Sequence, residues 1–367
     1  MHLSRKANNL KHYIENLKTL VERSASFTGK NVCITIIANP VAGGFTMKKR
    51  ALVNRSHFEA ALRKVASRPV QTASCSLTLH FTKTSSHAGS LARGVLDLAL
   101  KDTSSSVLFL IVTAGGDGTS LEVQTELARS VLEYNHLELS DRVCLLRLPY
   151  GTGNDGSDGR SLDQSLELLT GNSVFYKQSA VRVFPSGKEK SPWYSFNIVS
   201  IGLDAFVTYM TNRVKGFFPG DFYKIWVDIA CLFYNRLYHI SPLSVAASLQ
   251  DGTPILAHTD LMALYVMGVT GFRTYGSNQK ILPDAHNICA MKEMPLLRKL
   301  SLKEPVKNGT HAAFPEVMLY SADRLVFGYH DKILVQLDGE THLLEAPDFP
   351  LTFELTQPFI TLLKTLA

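Results

Sequence analysis

Four short apolar runs, most of them closed by a glycine-bearing loop and followed by a helical stretch, constrain this chain more than any other feature. They are NVCITIIA from Asn31, SLTLHFT (Ser76 to Thr82), SVLFLIVTA (Ser106 to Ala114) and RVCLLRLP (Arg142 to Pro149). NVCITIIA is continuous and β-rich rather than alternating, the pattern of a strand covered on both faces. A basic stretch after Gly44, His87 to Leu100, and Thr119 to Tyr134 read as helices between the runs. Strand, loop and helix in repetition predict a parallel sheet covered by helices. In such sheets ligands bind at the loops beyond the strands' carboxyl ends.

After Gly171 the alternation stops. Tyr176 to Phe184, Trp193 to Ser200, Pro254 to Val269, Glu316 to Tyr320, Arg324 to Phe327 and Ile333 to Leu337 read as strands separated by turns. They predict an antiparallel sandwich or barrel. One helix, near 221–237, interrupts them, with Phe222, Ile225, Trp226, Ile229, Leu232 and Phe233 on one face. A further helix is expected at 7–22, either packed on the first domain or facing a membrane.

Composition removes several classes. Hydrophobic residues at 45% and charged residues at 19% are globular values, which excludes disorder. Five cysteines, widely spaced and without CxxC or Cys/His clusters, fit a reducing, cytoplasmic compartment rather than disulfides or zinc. Met1 to Lys18 has no apolar core segment, so no secretory signal is expected, and no run of about 18 apolar residues could span a bilayer. A lipid would have to be reached from the membrane surface. The net charge of +6 suits such a surface or a nucleotide. No nucleic-acid partner is expected, and a homodimer is left open.

Three loops carry the chemistry: Asn39-Pro40-Val41-Ala42-Gly43-Gly44, Gly115-Gly116-Asp117-Gly118-Thr119 and Gly151-Thr152-Gly153-Asn154-Asp155. Each follows a predicted strand. Glycines let the backbone turn sharply and let phosphate oxygens approach main-chain N–H groups. A helix starting after the loop adds its positive end. A single glycine cluster is more often a plain turn; three at strand ends of one sheet are a stronger signal. Asp117 is expected to hold Mg²⁺ against phosphates, because a carboxylate in a glycine loop has little structural use. Thr119 and Thr152 can hydrogen-bond phosphate. Gly151, Gly153 and Gly156 spell GxGxxG, but after the fourth strand and with a prolonged loop instead of a helix, so a dinucleotide fold is rejected. No Walker A sequence occurs.

These loops together resemble the diacylglycerol kinase catalytic family, which includes sphingosine kinases, over roughly residues 31–357. The family's Asn-Pro-x-Ser/Ala-Gly looks like Asn39 to Gly43. Its GGDGT matches Gly115 to Thr119, with a downstream Glu at Glu122, and its Pro-x-Gly-Thr-x-Asn-Asp matches Pro149 to Asp155. Thr82 looks like a family Thr after the second strand. FNIVSIGLDA (Phe196 to Ala205) is similar to the segment opening the second domain, and Leu337-Asp338-Gly339-Glu340 to the family's Asp-Gly-Glu. Departures are Leu121 in place of a frequent Asn, Gly156-Ser157-Asp158 in place of Phe-Ala-Arg, and Pro283-Asp284-Ala285 without the following Asp-Gly.

The resemblance implies a three-layer α/β/α nucleotide-binding domain, residues 31–170 completed by about 348–367, after an N-terminal helical segment in 1–30. It implies an antiparallel β-sandwich lipid domain at 171–347, with ATP in the cleft between the domains. The implied reaction is an ATP- and Mg²⁺-dependent transfer of the γ-phosphoryl group to a lipid hydroxyl by a cytoplasmic, peripherally membrane-associated enzyme. Asn39 to Gly43 and Gly115 to Gly118 would cradle phosphates, Thr82, Thr119, Glu122, Thr152, Asn154 and Asp155 would line the nucleotide, and Asp117 would bind Mg²⁺. Glu340 would be the general base, although Asp-Gly is also a hairpin signal. The alternatives are a NAD kinase-like enzyme, which shares GGDGT, and a nucleotide-binding regulator without catalysis.

Overall fold

The computed structural model describes residues 16–104, 106–151, 154, 156–159, 161–189, 191–214, 234, 237–275 and 279–366. The expected helix at 221–237 lies outside these residues apart from Tyr234 and Leu237, and the expected helix at 7–22 is described only from residue 16. The chain divides into two compact units, Met1–Gln178 with Pro358–Ala367, and Ser179–Gln357.

The first unit holds a six-stranded sheet. Its strands are β1 (Asn31–Ala38), β2 (Ser74–Phe81), β3 (Val107–Gly115), β4 (Val143–Pro149), β5 (Ser173–Gln178) and a C-terminal strand, Ile360–Thr365. The order is β2-β1-β3-β4, then the C-terminal strand, then β5. All neighbours pair parallel except β5, which runs antiparallel to the C-terminal strand. The β1, β3 and β4 runs are buried almost throughout, as continuous apolar strands require.

Four longer helices accompany the sheet: α1 (Lys48–Val65), α2 (His87–Lys101), α3 (Asp117–Ala128) and α4 (Leu162–Thr170). In α2, Ala88, Ala92, Val95, Leu96 and Ala99 recur at helical spacing and are all buried. Phe58 and Ala61 of α1 and Leu166 and Leu169 of α4 share a core with Ile34, Leu110 and Leu146 of the sheet. Helices α2 and α3 pack on each other and on β3. The third helix is α-helical only to Ala128 and ends in a π turn, Arg129–Glu133.

The second unit contains two six-stranded antiparallel sheets. One runs, in order, Pro254–Asp260, Leu243–Ser248, Arg324–Gly328, Leu351–Leu355, Val181–Phe184, Trp193–Ser195. The other runs Val317–Tyr320, Ile288–Lys292, Met262–Gly268, Ile198–Gly202, Ile333–Leu337, Glu340–Leu344. Val183, Phe327 and Phe353 of the first sheet and Ile201, Tyr265 and Val335 of the second belong to one buried cluster. A helix, α5 (Leu203–Val214), follows the strand Ile198–Gly202.

Three runs that read as single strands are each two strands in different sheets. Tyr176 to Phe184 divides between β5 and Val181–Phe184, so β5 belongs to the first unit's sheet, past the expected boundary at 170. Trp193 to Ser200 divides after Ser195, and Pro254 to Val269 divides at Leu261. At the other end, Leu351–Leu355 lies in the second unit, past the expected boundary near 348. Local periodicity reports extended backbone, not the sheet that each half joins.

Candidate nucleotide site

The parallel register sets the three glycine loops level. Ala38 lies opposite Ala114, and Ala114 opposite Leu148, so the chain leaves β1, β3 and β4 at one end of the sheet. The ladder continues into the loops: the Asn39 amide donates to the Ala114 carbonyl at 2.9 Å and the Tyr150 amide to Gly115 at 3.0 Å. On the other side of β1, the Thr82 amide donates to Ala38 at 2.9 Å, which sets Thr82 beside the first loop.

In the first loop, the Asn39 side-chain oxygen accepts from the Val41 amide at 3.2 Å, an Asx turn that reverses the chain over Pro40 and Val41. The Ala42 amide returns to the Asn39 carbonyl at 3.1 Å. A short helical turn, Gly43–Thr46, then leads into α1. The Gly44 amide donates to the Tyr150 carbonyl at 2.8 Å. A Cβ on Gly44 would lie 2.5 Å from the Tyr150 ring, so only glycine admits this approach. The rings of Phe45 and Tyr150 stack at 4.3 Å, and Arg50 donates to the Gly151 carbonyl at 3.0 Å. Gly44, Tyr150 and Arg50 thus join the first loop to the third. Sequence reasoning gave none of them this role, although all three stand within stretches it had singled out.

The second loop caps α3. Gly116 is its N-cap residue, and the Thr119 and Ser120 amides donate to the Gly116 carbonyl at 3.1 and 3.3 Å. Thr119 is buried against Gly115, where a Cβ would come within 2.5 Å of its hydroxyl oxygen. A Cβ on Gly118, by contrast, would meet open space.

Asp117 departs from its sequence expectation. Its carboxylate accepts from the Asn154 amide at 2.9 Å and the Gly156 amide at 3.0 Å, and so ties the second loop to the third. It therefore has a structural use. Gly116 and Gly151 meet so closely that a Cβ on Gly151 would lie 2.4 Å from the Gly116 Cα. Asn154 has φ +62°, a left-handed conformation that Asn tolerates, and its side-chain amide donates to the Gly151 carbonyl at 3.1 Å. The Asn154 side-chain oxygen is buried without a hydrogen-bond partner. Thr152 and Asp155 lie outside the described residues.

The prolonged part of the third loop is anchored too. Asp158 accepts from the Arg147 amide at 2.6 Å and from its Nε at 3.0 Å, while Arg147 also donates to Gln124 at 2.9 Å. Both charged groups are nearly inaccessible, and a buried pair of this kind is costly to break from one side. Asp158, noticed in the sequence only as a departure from a family pattern, is the residue that holds the loop to β4.

Glu122 faces another target. Its carboxylate oxygens accept from the amides of Ser86, Ala88 and Gly89, at 2.8, 2.9 and 3.3 Å. It caps α2 and completes the turn after β2, where the negative charge meets the helix's positive end.

In the second unit, Asp338 and Gly339 have φ +48° and +97°, the conformation of a two-residue hairpin turn, and Leu337 pairs with Glu340. The buried Asp338 carboxylate accepts from the amides of Asn197 and Ile198, both at 3.0 Å, from the Phe196 amide and from the Ser195 hydroxyl at 2.8 Å. Burial pushes its ionisation upward, and these four donors oppose that shift. Glu340 is exposed, and its side chain forms no hydrogen bond among the described residues. Two residues on, His342 stacks on Trp193 at 4.2 Å; burial lowers its pKa, with Glu340 pulling the other way. Behind the turn, the buried Asp204 accepts from Ser200 and from Gln336 at 3.4 Å, and Gln336 accepts from the Gly339 amide at 3.0 Å. Burial raises the Asp204 pKa to about 6. Asp284, by contrast, is engaged by its neighbour His286, whose amide and ring nitrogen both approach its carboxylate at 2.9 Å. Among the described residues no three or more His, Cys, Asp or Glu side chains gather where they could hold a metal ion.

The segment that bears all three loops, residues 34–174, matches the family model of the diacylglycerol kinase catalytic domain. Those residues resemble a diacylglycerol kinase catalytic domain. A curated relative, the diacylglycerol kinase of Bacillus subtilis strain 168, is 22% identical over 315 residues, 83% of this chain and 88% of its own length. A crystal structure of a diacylglycerol kinase from Bacillus anthracis strain Sterne superposes with a TM-score of 0.51 at 16% identity, over 90% of this chain and 95% of that one. That likeness is one of fold and extends beyond residues 34–174 to most of the chain.

Proposed function

We propose that the protein is a lipid kinase that transfers the γ-phosphoryl group of ATP to a lipid hydroxyl. The observation that carries the reading is the junction of the three glycine loops, level at the ends of adjacent parallel strands and bonded to one another through Asp117, Tyr150 and Arg50. Such a junction supplies main-chain N–H groups and a helix N-terminus for phosphate oxygens, while Gly118 leaves space for their approach. In this reading the first unit is a three-layer nucleotide-binding domain, and the second is a β-sandwich that presents the lipid.

Phosphoryl transfer depends on positioning and charge neutralisation more than on covalent chemistry. Magnesium usually takes one or two carboxylates together with phosphate oxygens and waters. Asp117 fits that demand: an ionised carboxylate offers about four acceptor sites, and the two amides occupy only part of them. Bound there, Mg²⁺ would neutralise charge on the transferring phosphoryl group. Thr82 and Thr119 are assigned to the nucleotide, and Glu122 to holding the α2 end in place. Glu340 is assigned the proton of the acceptor hydroxyl, for which an exposed, unbonded carboxylate is free.

A turnover assay with radiolabelled ATP, against a panel of lipid alcohols and NAD, tests the reading. Label should appear in a lipid phosphate. Label in NADP, or in no acceptor at all, would overturn it. Among the described residues no helix is long and apolar enough to cross a membrane, so on this reading the lipid is met at the bilayer surface.

A further inference from the structure

The turn that carries Glu340 is held more firmly than a hairpin requires. A two-residue turn closes through strand pairing alone, and Leu337 already pairs with Glu340. This turn is bonded from behind as well. The Asp338 carboxylate takes its four donors from Ser195 to Ile198. The Gly339 amide donates to the Gln336 side-chain oxygen at 3.0 Å, and the Gly339 carbonyl accepts from the Asn212 side-chain amide of α5 at 2.7 Å. Gly339, at φ +97°, has the most freedom to swing, and it stands directly before Glu340. Both peptide groups beside its Cα are therefore pinned, and the second of them leads into Glu340.

The Gln336 contact depends on which way its amide points. Gln336 is buried, 2% exposed, and lies directly opposite Ser200 on the paired strand Ile198–Gly202. A side-chain amide has nearly the same shape either way round, but only its oxygen can accept from Gly339. Asp204, in the first turn of α5, sets the direction. Its buried carboxylate accepts from the Ser200 hydroxyl and from Gln336 Nε2 at 3.4 Å. An ionised carboxylate can only accept, so it takes the NH₂ end and leaves the amide oxygen for Gly339. Helix α5 thus reaches the turn at two points: Asp204 acts through Gln336 on the Gly339 amide, and Asn212, roughly two helical turns further on, holds the Gly339 carbonyl.

We propose that Asn212 and Gln336, with Asp204 orienting Gln336, are positioning residues that fix the Gly339 peptides and so aim Glu340 at the acceptor hydroxyl. The proposal rests on the lipid-kinase reading, in which Glu340 takes that proton. The Glu340 side chain has no hydrogen bond of its own among the described residues, so its aim comes from the backbone that bears it. Misplacing a reacting group by about 1 Å can cost on the order of 10²-fold in rate. None of the three residues touches the reacting atoms; each acts through the turn.

Three variants of the full chain test this. Asn212→Ala removes the carbonyl pin at an exposed position, so the core is untouched. Gln336→Met removes the amide pin with a side chain of similar length, and Asp204→Ala removes the orienting carboxylate. Each should lower kcat by about tenfold or more, while KM for ATP stays within about twofold. Asp204→Asn keeps an oxygen that can accept from Gln336 and should retain more of the parent's kcat than Asp204→Ala. In a Glu340→Gln background, Asn212→Ala and Gln336→Met should cost nothing further, because residues that act through one group are not additive. A merely structural role would give the same loss in both backgrounds, and that result would overturn the proposal. Amide hydrogen exchange gives a readout without ATP or lipid: Gly339 should exchange about tenfold or more faster in Gln336→Met and Asp204→Ala. Unchanged Gly339 exchange in both, or full kcat in Asn212→Ala, would also overturn it. A parent that phosphorylates no lipid fails at the kinase reading and takes the proposal with it. A parent that turns over, with variants whose Gly339 exchange is unchanged, fails at the proposal alone.

Discussion

Asp117 and Glu340 are both carboxylates assigned to catalysis, yet their surroundings predict different mutant behaviour. Asp117 accepts two amides of the third loop, so Asp117→Asn turns a donor toward one of them and leaves the contact unmatched. The variant should lose about 1–3 kcal/mol of stability in denaturant titration, besides a turnover loss on the order of 10²-fold or more. Lost stability with unchanged turnover would leave Asp117 a purely structural role. Glu340 has no such bonds, and Glu340→Gln should stay within about 0.5 kcal/mol of the parent. If it takes the acceptor's proton, kcat should fall roughly 10²–10⁴-fold while ATP affinity holds. A variant with full kcat would return Glu340 to the rank of a turn residue. Asp204 makes a prediction in pH. Its folded pKa, about 6, lies above the ordinary carboxylate value, so folding favours its neutral form. Its contribution is complete below about pH 4 and is lost as pH rises through about 6, a difference of roughly 3 kcal/mol. Melting temperatures of Asp204→Asn, measured from pH 4 to pH 8 against the parent, should lack that decline.

At the scale of elements, the glycine loops work as a set because they touch. Gly151→Ala would place a methyl group 2.4 Å from the Gly116 Cα, a backbone atom that cannot swing aside, and 3.0 Å from the Asn154 side-chain oxygen. The second and third loops would have to separate, at a cost of about 1–3 kcal/mol and with weaker ATP binding, measurable by calorimetry. Gly118→Ala meets open space and serves as the control for stability. The loops and their strands were legible in the sequence because runs such as NVCITIIA and SVLFLIVTA announce buried parallel strands locally. What each loop touches was not legible. The Asp117 contacts lie 37 and 39 residues away, and Glu122 reaches back 33 to 36 residues to the α2 end. Partners at such separations depend on how the sheet stacks its helices, which composition and spacing do not encode. The split of Tyr176 to Phe184 was hidden for a related reason. Ser179-Ala180 carries no proline or glycine to mark the change of sheet.

At the scale of the molecule, the first unit is assembled from two distant pieces of chain. The C-terminal strand lies between β4 and β5, and among the described residues β5 pairs with no other strand. A chain stopped at Gln357 should therefore leave β5 unpaired and β4 at a sheet edge. Limited proteolysis of that shortened chain should cut near residues 173–178 at protease levels that leave the full chain intact. The same arrangement bears on how the protein is made. The ribosome delivers β4 and β5 early and the strand between them only after the whole second unit has been synthesised, a delay of roughly 10–40 s at ordinary elongation rates. Through that interval the apolar flank of Cys144 and Leu145, which Thr361 and Leu362 later cover, is open to any other extended segment. The nascent chain is most exposed to mispairing there, and a chaperone that shelters β4 would act before the last strand emerges.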